Sequence, residues 1–301
     1  MTRLTKTKSV PEGKEGVYDH PFFRSLIRRS LRYLSSGYPV HYTGPSGVGK
    51  TTLALHVAKK RNRPVLMISG NEDLSNEDLI GAYKGYSRKK SDDNFIRTVR
   101  KIEEEVTESW VEGRLYEAVK NGYTVVYDEF TRSRPDTNNL FLSVIEEKLL
   151  PLYGAKRKES HIKVHPDFSI IFTSNPTEYV GIFETQDALL DRMITIPFHM
   201  MDKEAQVAVV RERTSMEESK AEKIVDLTEK VNGLCEEAHD GLSLRASIMI
   251  ADILEKYDIP VDGKNEDFQN LVLDITYFTL NLCNEDTEDL QNKILDVCRN
   301  V

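Results

Sequence analysis

The sequence predicts an α/β fold, in which helices cover both faces of a parallel sheet, followed by a small all-helical domain. Three observations predict it: a glycine-rich run between a strand and a helix, short apolar segments alternating with helical ones up to residue 198, and purely helical periodicity after Asp202. Apolar strands separated by helical segments are typical of parallel sheets covered on both faces. The predicted strands are Val40–Thr43, Val65–Ser69, Thr124–Tyr127, Ile170–Thr173 and Ile194–Ile196.

The composition narrows the class of protein. The chain has 301 residues, 39% hydrophobic and 30% charged, which suits one large or two modest soluble domains. No apolar run approaches a membrane span and the first ten residues lack a secretory signal, so we expect a cytoplasmic protein. A net charge of −8 gives no general attraction to nucleic acid. Cys235, Cys283 and Cys298 are odd in number and far apart, which argues against both a disulfide framework and a zinc site.

The periodicity divides the chain into three parts. Residues 1–16 are polar and without periodicity, so we expect a flexible N-terminal tail. Residues 17–200 carry the alternating pattern of a nucleotide-binding α/β domain. Residues 201–301 form the all-helical domain, with apolar residues recurring at helical spacing and no strand signal.

The glycine-rich run Gly44–Thr51 fits the phosphate-loop pattern G-x-x-x-x-G-K-[ST] at every fixed position, between a strand and a helix. Its glycines let backbone N–H groups approach phosphate oxygens, and the start of the following helix adds a positive end. Lys50 is expected to reach the β- and γ-phosphates, and Thr51 to ligate Mg²⁺. The predicted nucleotide-binding residues of this run are Gly44, Pro45, Ser46, Gly47, Val48, Gly49, Lys50, Thr51 and Thr52.

Two further strands end in polar residues suited to nucleotide chemistry. Asp128 and Glu129 follow the apolar strand Thr124–Tyr127. Asp128 could hold Mg²⁺ through its water shell and so bind the nucleotide, while Glu129 could polarise water for attack on the γ-phosphate. Asn175 ends the next strand, where it could orient that water or touch the γ-phosphate; Asn-Pro is equally a turn signal.

The order of these pieces resembles the AAA+ ATPases of the MoxR-like branch, which includes magnesium-chelatase subunits. Phosphate loop, acidic strand and Asn175 strand are followed by Leu189–Arg192 and Gly241–Ala246. The resemblance implies a five-stranded α/β domain with a helical lid. It also implies roles for seven residues: Walker A for Lys50 and Thr51, Walker B for Asp128 and Glu129, sensor 1 for Asn175, an arginine finger for Arg192 and sensor 2 for Arg245.

The same resemblance implies a ring of subunits, which we expect to be a homo-hexamer, because the finger acts on the neighbouring subunit's nucleotide. An isolated monomer should then be a poor ATPase. Simpler interpretations exist for both arginines. Arg192 could form a structural salt bridge with Asp191 or Glu184, and Arg245 could be a solvated helix start.

Longer stretches are similar to the ATPase family of the gas vesicle proteins, densely over residues 18–200 and in the lid through Leu242–Arg245. The stretches include Tyr38–Ala58 and Thr185–Thr195, and Val126–Pro135, with Asn138 and Asn139 just beyond it, is especially specific. The resemblance implies an ATP-driven step in gas vesicle assembly, acting on the shell protein or its assembly partners.

It also implies an insertion between Leu79 and Glu112. Tyr83–Lys90 there, and Lys156–Lys158 further on, are candidate substrate-facing elements, although solvated loops are the favoured interpretation of both.

Other functions share some of these features. A GTPase would need N-K-x-D, which does not occur, and a nucleic-acid motor is disfavoured by the acidic balance. A chaperone ATPase for another protein complex, and a nucleotide-dependent scaffold with little hydrolysis, both remain open.

Overall fold

The computed structural model describes residues 16–93, 101–152, 160–175, 183, 187–198, 201–235, 241–284 and 289–301. The N-terminal tail predicted for residues 1–16 lies outside them except for Gly16, and the basic segment Lys156–Lys158 lies wholly outside. Two units emerge from the described residues: 16–29, 44–53 and 197–301 form the first, and 30–43 with 54–196 form the second. A domain boundary at residue 200 stays a prediction.

The described residues contain nine strands and eleven α-helices. The strands are β1 Val40–Thr43, β2 Val65–Ser69, β3 Gly81–Asp93, β4 Lys101–Glu112, β5 Thr124–Asp128, β6 Leu149–Pro151, β7 His161–Lys163, β8 Ser169–Ser174 and β9 Ile194–Pro197. The helices are α1 Pro21–Ser35, α2 Lys50–Lys60, α3 Asn76–Ile80, α4 Arg114–Asn121, α5 Pro135–Leu142, α6 Asp187–Leu190, α7 Lys203–Thr214, α8 Glu218–Asn232, α9 Leu244–Tyr257, α10 Glu266–Leu282 and α11 Leu290–Arg299.

The main sheet confirms the predicted α/β fold. Its five strands run in the order β2-β5-β8-β1-β9, and the pairs β2–β5, β5–β8 and β8–β1 are parallel. All five match the predicted segments to within one residue at either end. Strand β8 is buried along its whole length, which explains its continuous apolar sequence. Because parallel strands share their direction, Thr43, Asp128 and Ser174 end their strands at one edge of the sheet.

The insertion differs from the sequence expectation. Strands β3 and β4 pair antiparallel from Gly81 opposite Glu112 to Asp93 opposite Lys101, with a bulge between Lys84 and Tyr86. The favoured interpretation of Tyr83–Lys90 as a solvated loop is therefore wrong, because this segment is part of a strand. Its charged sequence lacks the apolar alternation that marks a half-buried strand, which is why the sequence did not predict it.

The predicted all-helical domain is confirmed as helices α7–α11, which pack around one apolar core that includes Val210, Ile224, Ile250 and Phe268. None of the helices in the described ranges is long and apolar enough to cross a bilayer.

Two of the three cysteines form a disulfide, so the sequence argument against one was wrong. Cys235, just beyond α8, is bonded to Cys283 at the end of α10, with Cα atoms 5.6 Å apart. The two cysteines are 48 positions apart in sequence, and the course of the chain through α9 and α10 brings them together in space. Cys298 is a buried free thiol, and burial raises its pKa to about 11.

A buried histidine lies in β1, between β8 and β9 of the main sheet. His41 of β1 is 4% exposed, and its ring nitrogens lie 2.8 Å from Ser174 Oγ in β8 and 3.1 Å from Thr195 Oγ1 in β9. Phe130 packs edge-on against the ring at 5.3 Å. Burial lowers the pKa of His41 to about 4, so the side chain is neutral at pH 7.

We expect His41 to make the protein acid-sensitive. With a native pKa of about 4 and an unfolded value of about 6.5, the unfolded chain binds the extra proton in this window. The free energy of unfolding should therefore fall as the pH drops from 6.5 towards 4, by up to ~1.4 kcal/mol per pH unit and about 3 kcal/mol in all.

Urea unfolding of wild type and His41→Asn between pH 7.5 and 4.5, at constant ionic strength, measures this effect. The substitution itself can lower stability at every pH, so the slope with pH is the quantity to compare. Identical slopes in the two proteins would show that His41 does not titrate as inferred.

Candidate nucleotide-binding site

Residues 44–49 connect β1 to α2 as a tight glycine loop. Gly47 and Gly49 have φ of +75° and +94°, in the region that side chains rarely adopt, so the pattern places glycine where the backbone requires it. Helix α2 starts at Lys50, and Thr51 and Thr52 follow in its first turn. The positive end of the helix dipole therefore meets the loop, as anion binding requires.

Lys50 is folded back over this loop. Its side chain is buried, and Nζ donates hydrogen bonds to the carbonyl oxygens of Gly44 at 2.8 Å and Pro45 at 2.6 Å. The ammonium group thus helps to hold the loop in its curved shape.

The loop packs against the start of α9. Ser243 is the N-cap residue of that helix, and its side chain accepts a hydrogen bond from the Arg245 amide. A Cβ added at Gly47 would overlap Ser243 Oγ and lie 2.5 Å from Ser243 Cβ. It would also lie 3.7 Å from Arg245 Cδ, so the exposed Arg245 side chain runs beside the phosphate loop. This is where a sensor 2 arginine is needed, although its role stays a prediction.

Asp128, predicted to hold Mg²⁺, and Glu129, predicted to polarise water, are linked by a residue that sequence reasoning missed. Thr173 of β8 donates its hydroxyl hydrogen to Asp128 Oδ1 at 2.5 Å and accepts a hydrogen bond from the Glu129 amide at 3.0 Å. The available signal was a polar residue near the end of a buried strand, next to the acidic strand. One hydroxyl therefore fixes both the Asp128 carboxylate and the Glu129 backbone.

Glu129 has a strained backbone. Its φ is +51°, a left-handed conformation that costs a residue with a side chain on the order of 1–2 kcal/mol. The next residue, Phe130, is fully buried and packs edge-on against Tyr127 and Phe172, which anchors the turn. The Glu129 carboxylate lies 3.2 Å from Arg132 Nε. Both side chains are about two-fifths exposed, so this ion pair contributes little stability.

Asn175 directly follows β8 and is 7% exposed. Since β5 and β8 are adjacent and parallel, it lies at the same sheet edge as Asp128. The geometry brings Asp128, Glu129, Thr173 and Asn175 together in the second unit. In the first unit it brings Arg245 to the phosphate loop.

Arg192 lies after α6, in an ion pair within its own chain. Its Nε donates a hydrogen bond to Glu146 Oε2 at 2.7 Å, Nη2 lies 2.7 Å from the same oxygen, and Nη1 donates to the Ala188 carbonyl at 2.7 Å. The simpler interpretation expected a salt bridge with Asp191 or Glu184. Among the residues that the structure describes the partner is Glu146, and Glu184 lies outside them. The finger role stays a prediction.

A phosphate loop after the first strand of a parallel sheet, with an acid pair at the end of another strand of that sheet, defines a P-loop nucleoside triphosphatase. The family described as AAA domain (dynein-related subfamily) matches residues 39–193. A structure of a mutant RuvB from Thermotoga maritima has a TM-score of 0.51 at 15% identity, covering 84% of this chain and 68% of that one. That likeness shows the fold alone.

Relatives with higher sequence identity identify the family. The chain is 45% identical over 264 residues to gas vesicle ATPase GvpN of Ancylobacter aquaticus, covering 86% of this chain and 73% of the relative. It is 42% identical over 231 residues to gas vesicle ATPase GvpN of Haloferax mediterranei, with coverage of 76% and 66%. The chain therefore belongs to the gas vesicle ATPase GvpN family, which confirms the resemblance, and it is an ATP hydrolase of the AAA class.

The packing of the loop predicts a specific effect of Gly47→Ala. The substitution adds both backbone strain and a clash with Ser243, whereas Gly37→Ala is a matched control: Gly37 has φ +83° and open space around its Cβ. We expect Gly37→Ala to lose only the strain term, ~1–2 kcal/mol. Gly47→Ala should lose more and also bind ATP more weakly.

Urea unfolding and calorimetric titration with MgATP measure the two losses. Adding Ser243→Gly to Gly47→Ala removes both atoms that the new methyl group meets, and should recover the steric part only. Equal losses for Gly37→Ala and Gly47→Ala would argue against the contact with α9.

Proposed function

We propose that the chain binds and hydrolyses ATP with Mg²⁺ at sites shared between subunits of a homo-hexameric ring, and that hydrolysis drives a step of gas vesicle assembly. The substrate is the shell protein or one of its assembly partners, in the cytoplasm or at the growing vesicle. The observation that carries the catalytic part is the Thr173 hydroxyl, which links the Asp128 carboxylate to the Glu129 amide. Family membership supports the cellular part.

Each predicted residue has a distinct task in this proposal. The loop residues Gly44, Pro45, Ser46, Gly47, Val48 and Gly49, with Thr52 after them, enclose the phosphates. All of them except Pro45, which has no backbone N–H, can donate an N–H group to phosphate oxygens. Lys50 binds the β- and γ-phosphates. The Thr51 hydroxyl and the Asp128 carboxylate are hard oxygen donors that suit Mg²⁺, with Asp128 oriented by Thr173. Mg²⁺, when bound, neutralises charge on the phosphate oxygens.

The remaining residues act on the water and on the transition state. Glu129 polarises the attacking water, and Asn175 orients it or contacts the γ-phosphate. The transition state spreads negative charge over the γ-phosphoryl oxygens, so guanidinium groups accelerate the reaction. Arg245 supplies one from beside the loop. Arg192 supplies the other to the nucleotide of the neighbouring subunit.

The substrate-facing element in this proposal is the β3–β4 hairpin, Gly81–Glu112. Its length of 13 and 12 residues per strand exceeds that of every strand of the main sheet. The segment Tyr83–Lys90 within it carries lysine and arginine residues that suit an acidic protein surface. No nucleic acid is required.

Two substitutions separate binding from turnover. Lys50→Ala should abolish both Mg²⁺-dependent ATP binding and hydrolysis, because the loop loses its phosphate-binding ammonium group. Arg192→Ala should keep ATP binding but lose turnover by on the order of 10³-fold, the contribution typical of an arginine finger. Calorimetric titration and steady-state ATPase rates measure the two properties.

The control is Arg211→Ala, which removes an exposed arginine with a similar ion pair, 2.8 Å from Glu218. It should leave both properties unchanged. Wild-type turnover in Arg192→Ala would refute the finger role. Folded wild-type protein with no affinity for MgATP would refute the proposal as a whole.

Shared sites predict complementation between inactive proteins. Lys50→Ala subunits keep the finger but lose the nucleotide site, while Arg192→Ala subunits keep the site but lose the finger. A mixture should therefore regain ATPase activity that neither protein has alone. The wild-type rate per subunit should also rise cooperatively with protein concentration, and the shell protein should stimulate it. An inactive mixture together with a flat, high rate would indicate a self-sufficient monomer.

A further inference from the structure

Glu146, the partner of Arg192, stands on an unusual turn of the backbone. Helix α5 continues into a π-helical turn, Ser143–Glu147, which ends at Lys148 with φ +56°. The wide turn buries Val144 and Ile145 and leaves Glu146 exposed. Single π-helical turns inside helices are frequent at functional sites. None of the residues predicted for nucleotide chemistry lies on this turn.

The contacts of Arg192 occupy some N–H groups of its guanidinium and leave others without a partner among the described residues. Nε and Nη2 both face Glu146 Oε2, so the side-on edge is occupied, and Nη1 donates to Ala188. Nη1 and Nη2 each carry a second N–H, and neither of these has a partner among the residues that the structure describes. Guanidinium N–H groups of this kind can donate to the oxygens of a phosphate.

We propose that Glu146 is a positioning residue for Arg192, which presets the guanidinium so that its remaining N–H groups meet the γ-phosphate of a nucleotide on a neighbouring copy. This inference rests on the proposed function of Arg192 as a finger. An arginine side chain has many rotamers, and catalysis by a charged group requires one of them. Glu146 and the Ala188 carbonyl together select that rotamer before the nucleotide arrives.

The negative charge of Glu146 also acts against phosphate binding by Arg192. A carboxylate next to the guanidinium offsets part of its positive charge and could weaken its attraction for phosphate. The pair is exposed, however, at 34% for Arg192 and 58% for Glu146, so water and salt screen that effect. The same exposure means that the pair adds little to folding stability. Orientation is therefore its main consequence, and the rate is where the loss should appear.

The test uses full-length Glu146→Ala and Glu146→Gln, with Glu147→Ala as control, because Glu147 is an exposed glutamate on the same turn. Glu146→Ala should lower kcat by on the order of 10-fold to 100-fold. Its MgATP affinity and thermal unfolding midpoint should stay at the wild-type values. Glu146→Gln should keep part of the rate, since its amide oxygen can still accept from Arg192 Nε. Glu147→Ala should match wild type.

The mixing assay distinguishes positioning from a general structural role. Glu146→Ala is placed either on the Lys50→Ala subunit, which donates the finger, or on the Arg192→Ala subunit, which donates the nucleotide site. Activity should fall only in the first case. Equal losses in both cases, or an unchanged or raised kcat in Glu146→Ala, would overturn the inference.

The experiments distinguish failure of the proposed function from failure of the positioning role of Glu146. Wild-type turnover in Arg192→Ala removes the finger itself. An inactive Arg192→Ala protein alongside a fully active Glu146→Ala protein removes only the positioning role.

Discussion

The candidate site depends on one interaction, the parallel pairing of β5 with β8. This pairing sets Tyr127 opposite Phe172, so the next residues along each strand, Asp128 and Thr173, meet at the sheet edge. The Thr173 hydroxyl can then serve Asp128 as a donor and the Glu129 amide as an acceptor. A shift of register by one residue would send the hydroxyl to the other face of the sheet and separate it from both.

The strain at Glu129 follows from the same arrangement. The chain must leave β5 at Asp128 and bury Phe130 two residues later, and the left-handed backbone of Glu129 makes that turn. Burial of a phenylalanine side chain contributes roughly 1.5–3 kcal/mol, enough to offset the cost of the turn. The aromatic cluster around Phe130 therefore stabilises a backbone conformation that Glu129 would not adopt alone. This conformation sets the direction of the Glu129 side chain.

The sequence could predict those features whose signals lie within one short segment of the chain. The main sheet and phosphate loop were predictable because buried strands need continuous apolar segments, and the loop needs glycine at fixed positions such as Gly47. The contacts of Thr173 with Asp128 and of Glu146 with Arg192 were not, because the partners lie 45 and 46 residues apart in sequence. The Cys235–Cys283 bond was missed for the same reason. Each depends on segments that only the folded chain brings together. The β3–β4 hairpin was missed because its charged sequence lacks the apolar alternation of a half-buried strand.

Lys50 shows how the folded loop prepares for its ligand. The two carbonyl oxygens that accept its hydrogen bonds already replace water around the buried ammonium group. An incoming triphosphate therefore does not have to remove a full hydration shell from the lysine, which would otherwise oppose binding. In the proposed function, a bound triphosphate offers Lys50 anionic oxygens as acceptors. Hydrogen bonds from an ammonium group are charge-assisted with either kind of acceptor, and an anionic acceptor adds Coulombic attraction, which is stronger in a buried position than in water. The buried ammonium group therefore favours anionic ligands over neutral ones.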